Sequence, residues 1–223
     1  MANIALIGGK STHFLDDFIL EKNIFDYLNL SKPKILFIGY AANDLELAYQ
    51  KFLRLTAAKY ETKLLDDLTY QNTNDLFNWA DCIYFCGGDT KKLVAEVKNS
   101  ILLEMIRNYL NSNKLFMGIS AGAILFCLAG MGDKMAYNNA YHTYNYQMVE
   151  GVNILQMTIC PHYDHDNREC YNDEVKKYPC NSYALEDDTA ILVNDGIKVF
   201  KRDKTKSVYE FVFQNDYLMK AIY

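Results

Sequence analysis

Leu115-Phe116-Met117-Gly118-Ile119-Ser120-Ala121-Gly122-Ala123 places a serine between two glycines, where an apolar run gives way to a helix-forming one. Leu115 to Ile119 predicts a buried strand, and Ala121 to Ala129 predicts the helix after it. Glycines stand two residues to either side of Ser120, where larger side chains would stop strand and helix from packing across so sharp a turn. The pattern is that of a nucleophile elbow, which holds a serine above a sheet edge at the positive end of a helix. Ser120 is then a candidate nucleophile, and the amide of Ala121 a candidate donor to a developing oxyanion. A tight strand-helix turn with an incidental serine is the plainer alternative. The flanking strand and helix favour the catalytic one.

Working outward, the segments before the elbow alternate between strand and helix. Ile4 to Gly8, Ile35 to Gly39, the weaker Thr62 to Leu65 and Cys82 to Cys86 predict strands. Apolar residues at helical spacing predict helices within Phe14 to Leu30 and over Leu45 to Leu55. A third helix follows Gly87-Gly88-Asp89-Thr90, capped by Asp89 or Thr90 and carried by Leu93, Val97, Ile101, Met105 and Tyr109. Short connections between alternating elements predict an α/β, three-layer, doubly wound, mostly parallel sheet with helices on both faces. Its active site belongs at the carboxyl ends of the strands. There the Gly87-Gly88 turn would supply the second oxyanion donor, with Gly88 the better placed.

Beyond about residue 135 the pattern changes. Residues 134–150 are rich in Tyr, Asn and His and read as a long loop, whose stretch Tyr137 to Tyr146 suits either a flap over the site or the interface of a homodimer. Ile154 to Cys160 predicts a strand. Ile191 to Val193 and Ile197 to Phe200, joined by Asn194-Asp195-Gly196, predict a hairpin with which Val208 to Phe213 pairs. No repeat or linker interrupts the 223 residues, so residues 1–223 are read as a single domain.

Composition narrows the function classes. Half the residues are hydrophobic and only three are proline, which excludes a disordered or collagen-like chain. A formal net charge of −5 gives no electrostatic case for nucleic acid or an anionic membrane surface. No apolar run is long enough to span a bilayer. The start Met1-Ala2-Asn3-Ile4 has no signal-peptide pattern, so the expected location is cytoplasmic and the six cysteines are expected to be reduced. None forms a C-x-x-C pair or has zinc-finger spacing.

A serine hydroxyl needs a base at neutral pH. The histidines are His13, His142, His162 and His165, and the last two follow a predicted strand within Cys160-Pro161-His162-Tyr163-Asp164-His165-Asp166. An imidazole in turn needs a carboxylate to orient it. Glu186-Asp187-Asp188 is the leading cluster and Asp133 the alternative. Two further patterns are set aside. Gly8-Gly9-Lys10-Ser11-Thr12 ends like a phosphate-binding loop, but Ile4 stands where that motif needs its first glycine. His162, Asp164, His165 and Asp166 lie in an irregular segment whose side chains are not expected to converge on a metal, and no cofactor is called for.

The opening strand, Gly87-Gly88-Asp89-Thr90, Gly118-Ile119-Ser120-Ala121-Gly122, Pro161-His162-Tyr163 and Asp187-Asp188-Thr189-Ala190 together resemble, in order, the peptidase E and cyanophycinase family of serine peptidases. That resemblance implies a class I glutamine amidotransferase-like fold, with Ser120 as nucleophile, His162 as base, and Gly88 and Ala121 forming the oxyanion hole. It puts Asp187 where cyanophycinase-like members carry a glutamate. In aspartyl dipeptidases the acid follows the serine by a short loop, where Asp133 is nearest; Glu186 is a further alternative. Arg168 resembles the arginine that follows the histidine in those dipeptidases, a group suited to binding a substrate carboxylate. The implied activity is hydrolysis of small peptides, with removal of N-terminal aspartate as its finer form. An esterase of another α/β class and a catalytically silent ligand-binding protein on the same scaffold are the competing readings. The esterase normally places its histidine near the chain end, and none follows His165 here.

Overall fold

The computed structural model describes residues 2–11, 17–133, 146–214 and 217–223. The chain opens with β1 (Asn3–Ile7), α1 (Ile19–Tyr27), β2 (Ile35–Ile38), α2 (Leu45–Thr56) and β3 (Thr62–Leu64). α3 (Tyr70–Trp79) follows, a helix the apolar spacing does not announce because only Thr73 and Phe77 of its residues are buried. Next come β4 (Cys82–Phe85), α4 (Thr90–Asn99), α5 (Leu102–Tyr109), β5 (Leu115–Ile119) and α6 (Ala121–Phe126). The last third holds β6 (Cys127–Asp133), β7 (Tyr146–Glu150), β8 (Leu155–Cys160), the short α7 (Tyr171–Glu174), β9 (Asn181–Leu185), β10 (Thr189–Val193), β11 (Ile197–Lys201), β12 (Val208–Gln214) and β13 (Tyr217–Ile222).

β11-β10-β1-β5-β4-β2-β3 form one sheet, whose strands from β1 to β3 are parallel. Every residue of β2 and β4 is buried, as expected of strands covered on both faces. On one face Phe37 and Tyr84 pack against Phe52 of α2, with ring centroids 4.6 and 4.7 Å from it. On the other, Phe85 and Phe116 meet Phe126 of α6 at 5.2 and 6.0 Å. The α/β, doubly wound, mostly parallel architecture expected from the sequence is present.

Four expectations need correction. The single helix from Leu93 to Tyr109 is two, because Ser100 is extended and its Oγ accepts the amide of Leu102 at 3.3 Å. A serine that satisfies a helix's first amides ends one helix and starts another. The helix expected over Ala121 to Ala129 stops at Phe126, and the chain enters β6. Residues 121–127 are all buried, so no apolar stripe distinguishes helix from strand there. Part of the loop expected over 134–150 is β7, paired antiparallel with β6; residues 134–145, and with them most of Tyr137 to Tyr146, lie outside the described residues, as do His13 and His142. Finally, Val208 to Phe213 does not join the β10-β11 hairpin. It pairs with β9 and β13 in a second sheet, β13-β12-β9-β8-β6-β7, that the sequence reading lacks. α6 lies against both sheets, and Gly130 of β6 lies so close to Ile124 of α6 that a Cβ there would meet Cγ1 at 2.7 Å.

All six cysteines are free, and Cys82, Cys86, Cys127 and Cys160 are buried. Burial pushes the Cys86 thiol up to about 11, so it stays protonated at neutral pH. Among the described residues no helix is long and apolar enough to cross a membrane.

Candidate active site

Ser120 stands between β5 and α6 with φ 54° and ψ −112°, a conformation side-chain-bearing residues rarely adopt. The turn is held from both sides. The Ser120 amide donates to Ile7 O of β1 at 3.0 Å, and Ser120 O accepts the amides of Ala123 and Ile124. A Cβ on Gly118 would lie 2.1 Å from Gly122 O, and one on Gly122 would lie 2.3 Å from Phe85 O. The two glycines therefore let the elbow close and let α6 sit against β4.

His162 follows β8 and Pro161, again with positive φ, 54°. Its turn is pinned to the end of β9, where the Tyr163 amide donates to Leu185 O at 3.0 Å. Asp187 lies in the segment between β9 and β10, at the crossing from the second sheet to the first. The Ser120 hydroxyl lies 2.9 Å from His162 Nε2, and His162 Nδ1 lies 2.6 Å from Asp187 Oδ1. A carboxylate only accepts hydrogen bonds, so Nδ1 carries the proton and the Nε2 lone pair is left to receive the serine hydroxyl. Burial works to raise the Asp187 carboxyl, but hydrogen bonds from His162 and His165 outweigh it and hold the group well below the usual carboxylate range. It is thus ionised at neutral pH.

The other two acid candidates are engaged elsewhere. Glu186 accepts the Tyr209 hydroxyl and the Ser207 amide, both at 2.9 Å. Asp133 meets Arg168 Nη2 at 3.1 Å. Arg168 itself is 4% exposed; its Nη1 donates to Met131 O, and the guanidinium lies 3.9 Å from the Tyr146 ring centre. This guanidinium ties β6 and β7 to the segment after His162, a different use from the substrate contact expected of it.

Two contributors escaped the sequence reading. His165 Nε2 donates to Asp187 Oδ2 at 2.9 Å, so one carboxylate bridges two imidazoles. That hydrogen bond raises the His165 pKa above its ordinary value against the opposing effect of burial. Gly9, in the run set aside as a phosphate-loop look-alike, backs the site. A Cβ there would fall 2.1 Å from Asp187 Oδ1 and 2.4 Å from His162 Nδ1. Gly9 O also accepts the Asp188 amide at 3.0 Å. The signal was available: two glycines directly after a strand, as at Gly87-Gly88.

Gly87 and Gly88 follow β4 and lie beside the elbow. A Cβ on Gly87 would come within 3.2 Å of Ser120 Cβ, and Gly88 has φ 138° with Ala41 O in the space a side chain would fill. Asp89, the first of the two proposed caps, accepts the Lys92 amide at 3.0 Å. Ala121 is the first residue of α6, so its amide has no acceptor within the helix. Donor atoms of His162, His165 and Asp187 lie within 4.8 Å of one another, a grouping that could hold a cation. The sequence had grouped Asp164 and Asp166 with the two histidines; Asp164 instead accepts the Asp187 amide at 2.9 Å and pairs with Lys206 at 2.5 Å.

With this geometry in view, the model of peptidase family S51 matches residues 4–199. An uncharacterized peptidase, YgaJ, of Bacillus subtilis (strain 168) is 27% identical over 199 residues, covering 86% of this chain and 83% of its own. Peptidase E of Nostoc sp. (strain PCC 7120) is 23% identical over 195 residues, covering 83% and 76%. The crystal structure of a peptidase from an acI-B1 Actinobacterium superposes with a TM-score of 0.70 at 20% identity, over 99% of this chain and 94% of that one. The shared fold is the class I glutamine amidotransferase-like one.

Proposed function

The chain belongs to peptidase family S51 and is a peptidase, and we propose that it hydrolyses small peptides through an acyl-enzyme formed on Ser120. His162 takes the hydroxyl proton as Oγ attacks the scissile carbonyl. The amides of Gly88 and Ala121 receive the negative charge that develops on the carbonyl oxygen. Collapse of the tetrahedral species breaks the C–N bond, and His162 delivers its proton to the departing amine. Water then attacks the ester with His162 again as base, which releases the acid and restores Ser120. Asp187 holds the Nδ1 proton and stabilises the imidazolium that forms twice in the cycle.

The observation that carries this reading is the unbroken chain from Ser120 Oγ to His162 Nε2 at 2.9 Å and from His162 Nδ1 to Asp187 at 2.6 Å. Ser120 comes from the first sheet, His162 from the second, and Asp187 from the segment joining them, which supports residues 1–223 working as one domain. The finer reading, removal of N-terminal aspartate, gains nothing from Arg168, whose guanidinium is held by Met131 O, Asp133 and Tyr146. Aspartyl peptides enter as one class among several. The test is hydrolysis of a set of aminoacyl anilides and dipeptides, aspartyl ones included, by wild type and Ser120→Ala. Turnover abolished by the substitution is expected; equal turnover by both proteins would refute the assignment.

A further inference from the structure

At the carboxyl edge of the parallel sheet, on its β2-β4 side, lies a cavity of about 230 Å³ walled by Phe37, Ala48, Phe52, Leu55, Tyr84 and Ile119. It reaches the elbow: Gly87 lines it, and a Cβ on Gly87 would lie 3.2 Å from Ser120 Cβ and 3.8 Å from Ser120 Oγ. Its volume is below the roughly 300–1,000 Å³ of pockets that enclose whole drug-sized ligands, and suits a single side chain.

We propose that this cavity receives the side chain of the substrate residue that becomes the acyl group, and that it selects bulky apolar residues such as leucine, methionine and phenylalanine. The inference rests on the triad proposed above, because the triad decides which half of the substrate faces the cavity. His162 and Asp187 come in from the side of β1 and β10, backed by Gly9. His162 must protonate the departing amine, so the amine half lies on that side. The acyl half then lies across Ser120, toward β4 and β2, where the cavity opens.

The walls settle the chemistry. Phe37, Phe52 and Tyr84 are 2%, 6% and 4% exposed, so they form a fixed surface. Two polar groups of the lining, the Tyr84 hydroxyl and the Lys10 ammonium, already have partners. The Tyr84 hydroxyl donates to Glu21 at 3.3 Å, and burial, with the Glu21 charge beside it, raises its pKa well above the ordinary value. Lys10, which also lines the cavity, is paired with the fully buried Glu21 at 3.0 Å and donates to Asp17 O at 2.5 Å. A carboxylate entering here would lose its water beside a cation whose charge is already balanced, whereas an apolar chain would lose nothing. Lys51, exposed and also part of the lining, would attract an acidic residue, so aspartate is the rival the experiment must include.

The test measures kcat/KM for alanyl, leucyl, phenylalanyl and aspartyl anilides with wild type, taking Ser120→Ala as blank. Leucyl and phenylalanyl substrates should exceed alanyl by about tenfold or more, the usual effect of filling an apolar pocket, and aspartyl should fall below alanyl. Ala48→Phe, which fills the cavity, should lower the phenylalanyl-to-alanyl ratio by about tenfold. Leu55→Ala, which enlarges it, should shift preference from leucyl toward phenylalanyl. Ser120-dependent turnover that favours aspartyl or alanyl substrates, or ratios that neither folded variant moves, would overturn the inference and leave the triad standing. Wild-type turnover no greater than the Ser120→Ala blank on every substrate would instead bring down the triad, and this inference with it.

Discussion

Gly9→Ala should disable the enzyme from behind, by displacing the acid and the imidazole rather than removing either. An added methyl would sit 2.1 Å from Asp187 Oδ1, 2.3 Å from His162 Cε1 and 2.4 Å from His162 Nδ1. Real Cβ contacts stay beyond about 3.0 Å, so the acid or the imidazole must yield by on the order of 0.9 Å. That shift is a large fraction of the slack in the 2.9 Å contact between His162 Nε2 and Ser120 Oγ. A misplacement of about 1 Å in a catalytic array costs roughly 10²-fold in rate. Overpacking adds about 1–3 kcal/mol of lost stability, or about 2–4 °C of Tm per kcal/mol for a chain of this size. The assay is kcat/KM on the best anilide, with Tm and circular dichroism to confirm folding. Gly196→Ala is the control, since a Cβ there meets nothing within 4 Å. Gly9→Ala should lose about two orders of magnitude while the control matches wild type. A folded Gly9→Ala within threefold of wild type would refute the claim that Gly9 sets the position of the acid and base.

Asp187→Asn should lower kcat by about 10⁴-fold by stabilising the wrong imidazole tautomer, whereas Glu186→Gln and Asp133→Asn should each stay within about tenfold; steady-state kinetics on all three ranks the acids. His165 titrates above its unfolded value because of Asp187, so its contribution to stability is full below about pH 6.5 and fades as pH rises through the folded pKa. The Tm gap between wild type and His165→Ala should therefore be widest near pH 5.5 and close by about pH 9, and a gap that grows with pH would contradict the hydrogen bond to Asp187. Arg168→Met should cost about 1–3 kcal/mol by orphaning Met131 O and the Asp133 pair, read as lowered Tm, and should leave the order of preference among alanyl, leucyl and aspartyl anilides unchanged.

How much of this was legible in the residues follows from what makes each feature local. The elbow could be read because its requirement is steric and confined to five residues: without a Cβ at Gly118 and Gly122, strand and helix can pass within contact distance. The parallel strands could be read because burial on both faces leaves uninterrupted apolar runs, as in β2 and β4. The second sheet could not, since its order depends on partners distant in the chain. An alternating run such as Val208 to Phe213 states that a strand exists, not what it pairs with. The α6-β6 boundary was hidden by burial on every side. In the site, Ser120, His162 and Asp187 follow from motif and resemblance, but Gly9 and His165 are brought in only when β1 and the turn after β8 meet the segment before β10. The placement of Arg168 was not legible, because a lone arginine carries no sign that its guanidinium will meet the end of β6.

The most direct test of the central claim is intact-protein and peptide mass spectrometry after reaction with a serine-directed phosphonofluoridate, in which an activated hydroxyl displaces fluoride. One adduct per chain, located on Ser120, absent from Ser120→Ala and formed far more slowly by His162→Ala, is the predicted result. Modification of a different residue, or no adduct from a preparation that turns over peptides and loses nothing in Ser120→Ala, would contradict it.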